Sequence, residues 1–96
     1  MPWCGKLAFS FTRESILRNA PRSAGVYALW SDQTWVYVGE SSDIQRRLLE
    51  HLDRPGPCIS LHGQLSCGYE VPLEDRVQRQ NQLIAELRPA CNQMFG

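Results

Sequence analysis

Residues 37–51 read Tyr37-Val-Gly-Glu-Ser-Ser-Asp-Ile-Gln-Arg-Arg-Leu-Leu-Glu-His51, or YVGESSDIQRRLLEH. A strand-like start passes through a glycine into a helix that carries two arginines and a histidine. Ser41 or Ser42 is placed to cap that helix, and Ile44, Leu48 and Leu52 recur at i, i+4 and i+8, giving one apolar stripe that ends before Pro55-Gly56-Pro57. Arg47 and His51, four apart, share a face beside that stripe. A guanidinium and an imidazole there, just after a glycine that lets the backbone turn out of a strand, can hold a phosphate and move a proton. The structural alternative puts His51 at the helix C-terminus for its dipole and pairs Arg46 and Arg47 with Asp43 or Glu50 on a solvated face.

Working outward, Val26–Trp30 and Trp35–Val38 are rich in β-formers, and the polar Ser31-Asp32-Gln33 between them predicts a hairpin. That hairpin leaves Tyr27 and Tyr37 near opposite ends of the strand pair. Thr12 caps a short helix over Arg13–Asn19, and Leu65–Val71, interrupted by Gly68, supplies a third strand. Cys58–Gly63 has no period and reads as a loop. Leu73–Leu87 reads as a longer helix stopped by Pro89, with Val77, Ile84 and Leu87 on its inward face and Gln80 as a polar interruption of that face. A buried amide left unpaired costs about 1–3 kcal/mol, so the interruption needs a partner, either backbone, water or an ion.

The 96 residues suffice for one domain, 1–96, with a single modest core. Ten basic residues balance ten acidic ones, and nine of the ten basic residues are Arg. No net field draws the chain to nucleic acid or to an anionic membrane, so nucleic-acid binding must come from local clusters and be weak and non-specific. Arg46, Arg47 and Arg54 form one such cluster, and Arg76, Arg79 and Arg88 another. No segment approaches the roughly 20 apolar residues of a membrane span. Cys4, Cys58, Cys67 and Cys91 contain no CxxC pair, which argues against a thiolate metal site and for a cytoplasmic protein with reduced thiols.

Taken in order, Gly25-Val26-Tyr27, Tyr37-Val38-Gly39, Arg47, His51, Leu83-Ile84, Arg88-Pro89 and Asn92 resemble the GIY-YIG nuclease superfamily over roughly residues 22–92. The resemblance implies an α+β domain, a three-stranded antiparallel sheet flanked by helices, that cuts DNA with one divalent ion, Mg²⁺ or Mn²⁺. It implies that Tyr27 is the general base or proton relay, assisted by His51, and that Tyr37 orients water or contacts phosphate. Arg47 then stabilises charge on the phosphate, with Gly39 and Arg46 at the backbone and phosphate approach. The family's metal-binding glutamate falls three residues before the Leu-Ile pair, where this chain has Gln80. A neutral amide lowers metal affinity and Lewis-acid assistance, so cleavage is expected to be attenuated or abolished. The other readings are an inactive DNA-binding module and a protein-interaction domain using exposed Trp3, Trp30 or Trp35. DNA preference would come from loops, a homodimer or a partner protein.

Overall fold

The computed structural model describes residues 6–32, 34–72 and 75–92. Eight elements follow one another: β1 (Lys6–Ser10), α1 (Arg13–Asn19), β2 (Gly25–Trp30), β3 (Trp35–Ser41), α2 (Ile44–Asp53), α3 (Gly56–Ser60), β4 (Ser66–Glu70) and α4 (Arg76–Leu87). The sheet is antiparallel in the order β1-β4-β2-β3. It has four strands, not the expected three. The additional one, β1, pairs with β4, more than 50 residues further along, a partner that no local pattern announces.

Several boundaries follow the side-chain chemistry closely. Thr12 caps α1, its hydroxyl accepting from Ser15 N–H. The hairpin turn is closed by Ser31 N–H donating to Thr34 C=O, while Gln33 lies outside the described residues. Two differ. Asp43, not Ser41 or Ser42, caps α2, accepting from Arg46 N–H, and Ser41 accepts from Asp43 N–H one step earlier. α3 runs into the first half of the Cys58–Gly63 stretch, which its lack of period reads as a loop, because a proline in the first turn gives up only an N–H that has no helical partner. α4 is described from Arg76, capped by Asp75; Leu73 and Glu74 lie outside the described residues.

The sheet separates two apolar clusters. On one face Tyr27, Leu29 and Phe9 pack with Ile16 of α1 and Ile44 and Leu48 of α2. On the other, Val26, Ala28 and Val38 pack with Leu83 and Leu87 of α4. Adjacent residues of β2 thus belong to different faces, as strand geometry requires. Gly25 is where α2 meets the sheet: a Cβ there would lie 2.6 Å from the Glu70 carbonyl oxygen and 2.8 Å from Ile44 Cδ1. Trp30 and Trp35 are half-buried, pack against each other at 5.2 Å between ring centroids and lie on the α4 cluster, so neither is the open aromatic surface expected of an interaction domain. Trp3 lies outside the described residues.

Candidate active site

β2 and β3 put Tyr27 opposite Gly39 and Tyr37 opposite Leu29. The tyrosines are therefore diagonal neighbours, with ring centroids 6.2 Å apart, not at opposite ends of the hairpin. Gly39 is small for a reason specific to this pair. A Cβ on it would sit 2.4 Å from Tyr27 Oη, 2.6 Å from Tyr27 Cζ and 3.0 Å from Tyr37 Cε2. The space left by the missing side chain is taken by the Tyr27 phenol.

α2 supplies the remaining groups. Its apolar residues Ile44 and Leu48 face the core, and the same helical phase turns His51 inward and leaves Arg47 at the rim. Tyr27 Oη lies 2.7 Å from His51 Nε2, and both side chains are buried. The Tyr37 ring meets His51 edge-on at 5.0 Å between centroids. The Arg47 charge lowers the Tyr27 phenol against the rise that burial imposes. The hairpin and α2 thus bring together Tyr27, Tyr37, Arg47 and His51.

Burial governs the protonation states. It drives the Tyr27 phenol far above its ordinary value, with Tyr37 adding to the rise, while Arg47 pulls it back. Burial also pushes His51 down to about 4, helped by the Arg47 charge. At neutral pH the pair is a neutral phenol beside a neutral imidazole, so the phenol donates and Nε2 accepts. Burial disfavours the Arg47 charge, but Tyr27, the Glu50 hydrogen bond and Tyr37 outweigh it and keep Arg47 cationic.

Arg46 stands apart from this cluster. It is exposed and reaches Glu50 at 3.3 Å, while Arg47 reaches the same carboxylate at 3.1 Å. The hydrogen bond from Arg47 holds Glu50 below its ordinary carboxyl value. The surface-pairing alternative is therefore correct for Arg46, and Arg47 serves both Glu50 and Tyr27. A cleft lined by Arg47, Glu50, Asp53 and Arg54 opens beside them.

Gln80 is on α4, which packs on the opposite face of the sheet from Tyr27. Its amide donates to Asn81 at 3.4 Å, and no described hydrogen bond, ion pair or ring contact joins it to the other four residues. Val77, expected on the inward face, is 45% exposed, and the fully buried part of α4 begins at Leu83, so Gln80 lies at the half-buried margin and not within an apolar stripe. The donor set does not fit a tightly held magnesium ion. Position 80 offers a neutral amide, Glu40 is engaged by Arg76 at 2.7 Å, and Glu50 by Arg46 and Arg47.

The sequence reading missed Asn92 as a structural clamp. Its amide accepts from Val38 N–H at 2.7 Å and donates to Val38 C=O at 2.9 Å, pairing both backbone groups of Val38 on the edge strand that carries Tyr37 and Gly39. It also missed a covalent link: Cys58 and Cys91 form a disulfide and Cys67 is free and buried, in place of uniformly reduced thiols. The two cysteines are 33 residues apart, and only the fold brings them together.

No family profile matches the sequence, and no curated protein matches it. Solved structures do match. The magnesium-bound GIY-YIG N-terminal endonuclease domain of UvrC from Thermotoga maritima aligns with a TM-score of 0.66 at 24% identity, over 83% of this chain and 93% of that one. A tyrosine-to-phenylalanine point mutant of that domain, bound to the catalytic divalent cation, aligns at 0.65 and 23% identity over 83% and 92%. An asparagine-to-alanine mutant aligns at 0.62 and 23% identity over 80% and 89%. The chain has the GIY-YIG endonuclease fold.

Proposed function

We propose that this chain is a DNA endonuclease core whose proton-handling and phosphate-binding groups are intact and whose divalent-cation site is weakened by Gln80. The observation that carries the proposal is the buried 2.7 Å contact between Tyr27 Oη and His51 Nε2, with the Arg47 charge acting on the same phenol. A buried phenol bonded to an unprotonated imidazole is a ready proton relay. As water attacks the phosphodiester, the Tyr27 oxygen takes a water proton while its own proton passes to His51 Nε2. Arg47 donates its planar fork to the phosphate oxygens, where negative charge accumulates. Tyr37, packed against both rings, holds His51 in register and borders the space for the attacking water.

The weak basicity of His51 in the free chain suits this arrangement. Burial and the Arg47 charge depress it, and a bound phosphodiester offsets the second of these, so substrate raises His51 toward the range of a useful base. A divalent cation, when bound, would supply electrophilic assistance at the phosphate. Because position 80 provides no negative charge, Mg²⁺ or Mn²⁺ would be held weakly and cleavage would be slow.

One observation favours a second reading. The neutral residue at position 80 also suits a DNA-binding module that has lost hydrolysis. The two separate on a plasmid substrate with Mn²⁺. The endonuclease reading expects slow nicking that disappears in Tyr27→Phe while DNA affinity is retained, whereas Arg47→Ala weakens both. Salt-sensitive binding without any nicking identifies the binding module, and absence of binding at low salt refutes both.

A further inference from the structure

Among the described residues, one group of three side chains of metal-ligating type stands close enough to share an ion, and it lies outside the Tyr27 cluster. Cys58, His62 and Cys91 each offer a ligand atom, and these atoms all lie within 4.8 Å of one another. We propose that these three residues form a soft-divalent-metal site, of zinc type, in the reduced chain, and that the Cys58–Cys91 disulfide is the metal-free oxidised state of the same site.

The local geometry is built for it. Cys58 is in α3, and Leu61 continues the right-handed helical backbone beyond Ser60. His62 N–H donates to Ile59 C=O, so the chain is still turning when it reaches residue 62. Cys58 and His62, four apart, therefore project from the same side of one turn. The third ligand is fixed from elsewhere: Cys91 N–H donates to Val36 C=O at 2.8 Å, and Ala90 N–H to Trp35 C=O at 2.9 Å. Two thiolates and an imidazole select zinc over magnesium, whose preference is for oxygen. Three protein ligands leave a fourth position for water. His62 also borders a surface pocket lined by Ser10, Asp32 and Gln64.

The chemistry balances. A dithiol reductant delivers two electrons and two protons to the disulfide, giving two thiols and an oxidised reductant. The Cys58 and Cys91 sulfurs then move apart to roughly 3.8 Å, the separation set by two Zn–S bonds in tetrahedral geometry, and the incoming ion displaces the two thiol protons. In reverse, a small-molecule disulfide oxidant exchanges with the two thiolates, takes the two electrons and leaves as its dithiol, so the Cys58 and Cys91 sulfurs rejoin and the ion is released. In either state the link ties α3 to the segment docked on β3, on which Tyr37 and Gly39 stand. This site is independent of the nuclease reading and of Gln80.

The test is a Co²⁺ titration of the full chain, reduced with a phosphine under anaerobic conditions, with circular dichroism monitoring the fold. The expected result is one equivalent of cobalt with thiolate-to-cobalt charge-transfer absorption, displaced by Zn²⁺, together with a rise in melting temperature when metal is added. The oxidised chain should bind none, Cys58→Ser should lose the band, and Cys4→Ala and Cys67→Ala should keep it. His62→Ala, a change in a turn, should weaken binding by at least about tenfold, the loss already typical of groups one shell further out. Three results overturn the proposal: no thiolate band in the reduced chain whether it stays folded or not, a band that survives Cys58→Ser, or unchanged affinity in His62→Ala.

Discussion

Gly39→Ala tests the packing on which the site depends. The new Cβ would lie 2.4 Å from Tyr27 Oη, against 3.4 Å for ordinary contact, so one of them must move by about 1 Å. The phenol has no free direction: His51 Nε2 is at 2.7 Å and the Tyr37 ring lies alongside. If the displacement falls along the hydrogen bond, 2.7 Å becomes about 3.7 Å and the bond is lost. Overpacking costs about 1–3 kcal/mol and the lost bond about 1 kcal/mol, offset by roughly 0.4–1 kcal/mol from the stiffer unfolded chain. The net expectation is about 2–3 kcal/mol, or a fall in Tm of about 10–20 °C for a domain of this size, read by urea and thermal unfolding. In a Tyr27→Leu background the ring tip is gone and the penalty should vanish. An equal penalty in both backgrounds, or none in the parent, would refute the account of why residue 39 is glycine.

Other consequences follow from the same structure. His51 titrates near 4 when folded and near 6.5 when unfolded, so between those values the unfolded chain binds the extra proton and stability falls as pH drops through that window, by at most about 3 kcal/mol. Equilibrium unfolding at several pH values should show that slope, and His51→Gln should flatten it. The same histidine, followed by NMR, should titrate higher once a DNA oligonucleotide is bound, because phosphate offsets Arg47; an unchanged value would mean that phosphate does not sit on Arg47. Asn92→Ala strips both partners from Val38 at the sheet edge and should cost about 2 kcal/mol in urea unfolding, with faster hydrogen exchange at the Val38 amide than elsewhere in β3.

What the sequence made legible was local. The α1 cap, the hairpin and the phase of α2 each rest on residues close in the chain, and together they place Tyr27, Tyr37, Arg47 and His51 in one cluster. Elements fixed by distant partners were not legible. β1 is a five-residue edge strand defined by its pairing with β4; β4 itself was legible as the strand at Leu65–Val71, but its place between β1 and β2 was not. Ser41 and Ser42 were the expected caps of α2, but Asp43 takes the role by accepting from Arg46 N–H, and Ser41 instead accepts from Asp43 N–H. The Pro55-Gly56-Pro57 stretch signalled a stop, yet the same prolines suit the start of α3. Gln80 showed the limit of helical periodicity: the expected inward face ran through Val77, which is 45% exposed, whereas the buried residues of α4 are Leu83 and Leu87 near its C-terminal end.

The most direct measurement is the single-turnover rate of plasmid nicking against Mn²⁺ concentration, for the parent chain and for Gln80→Glu. The account predicts faster cutting by Gln80→Glu, with saturation at lower Mn²⁺, and loss of cutting in both when Tyr27→Phe is added. Nicking that ignores Tyr27→Phe, or the absence of any nicking by Gln80→Glu across the metal range, would contradict it.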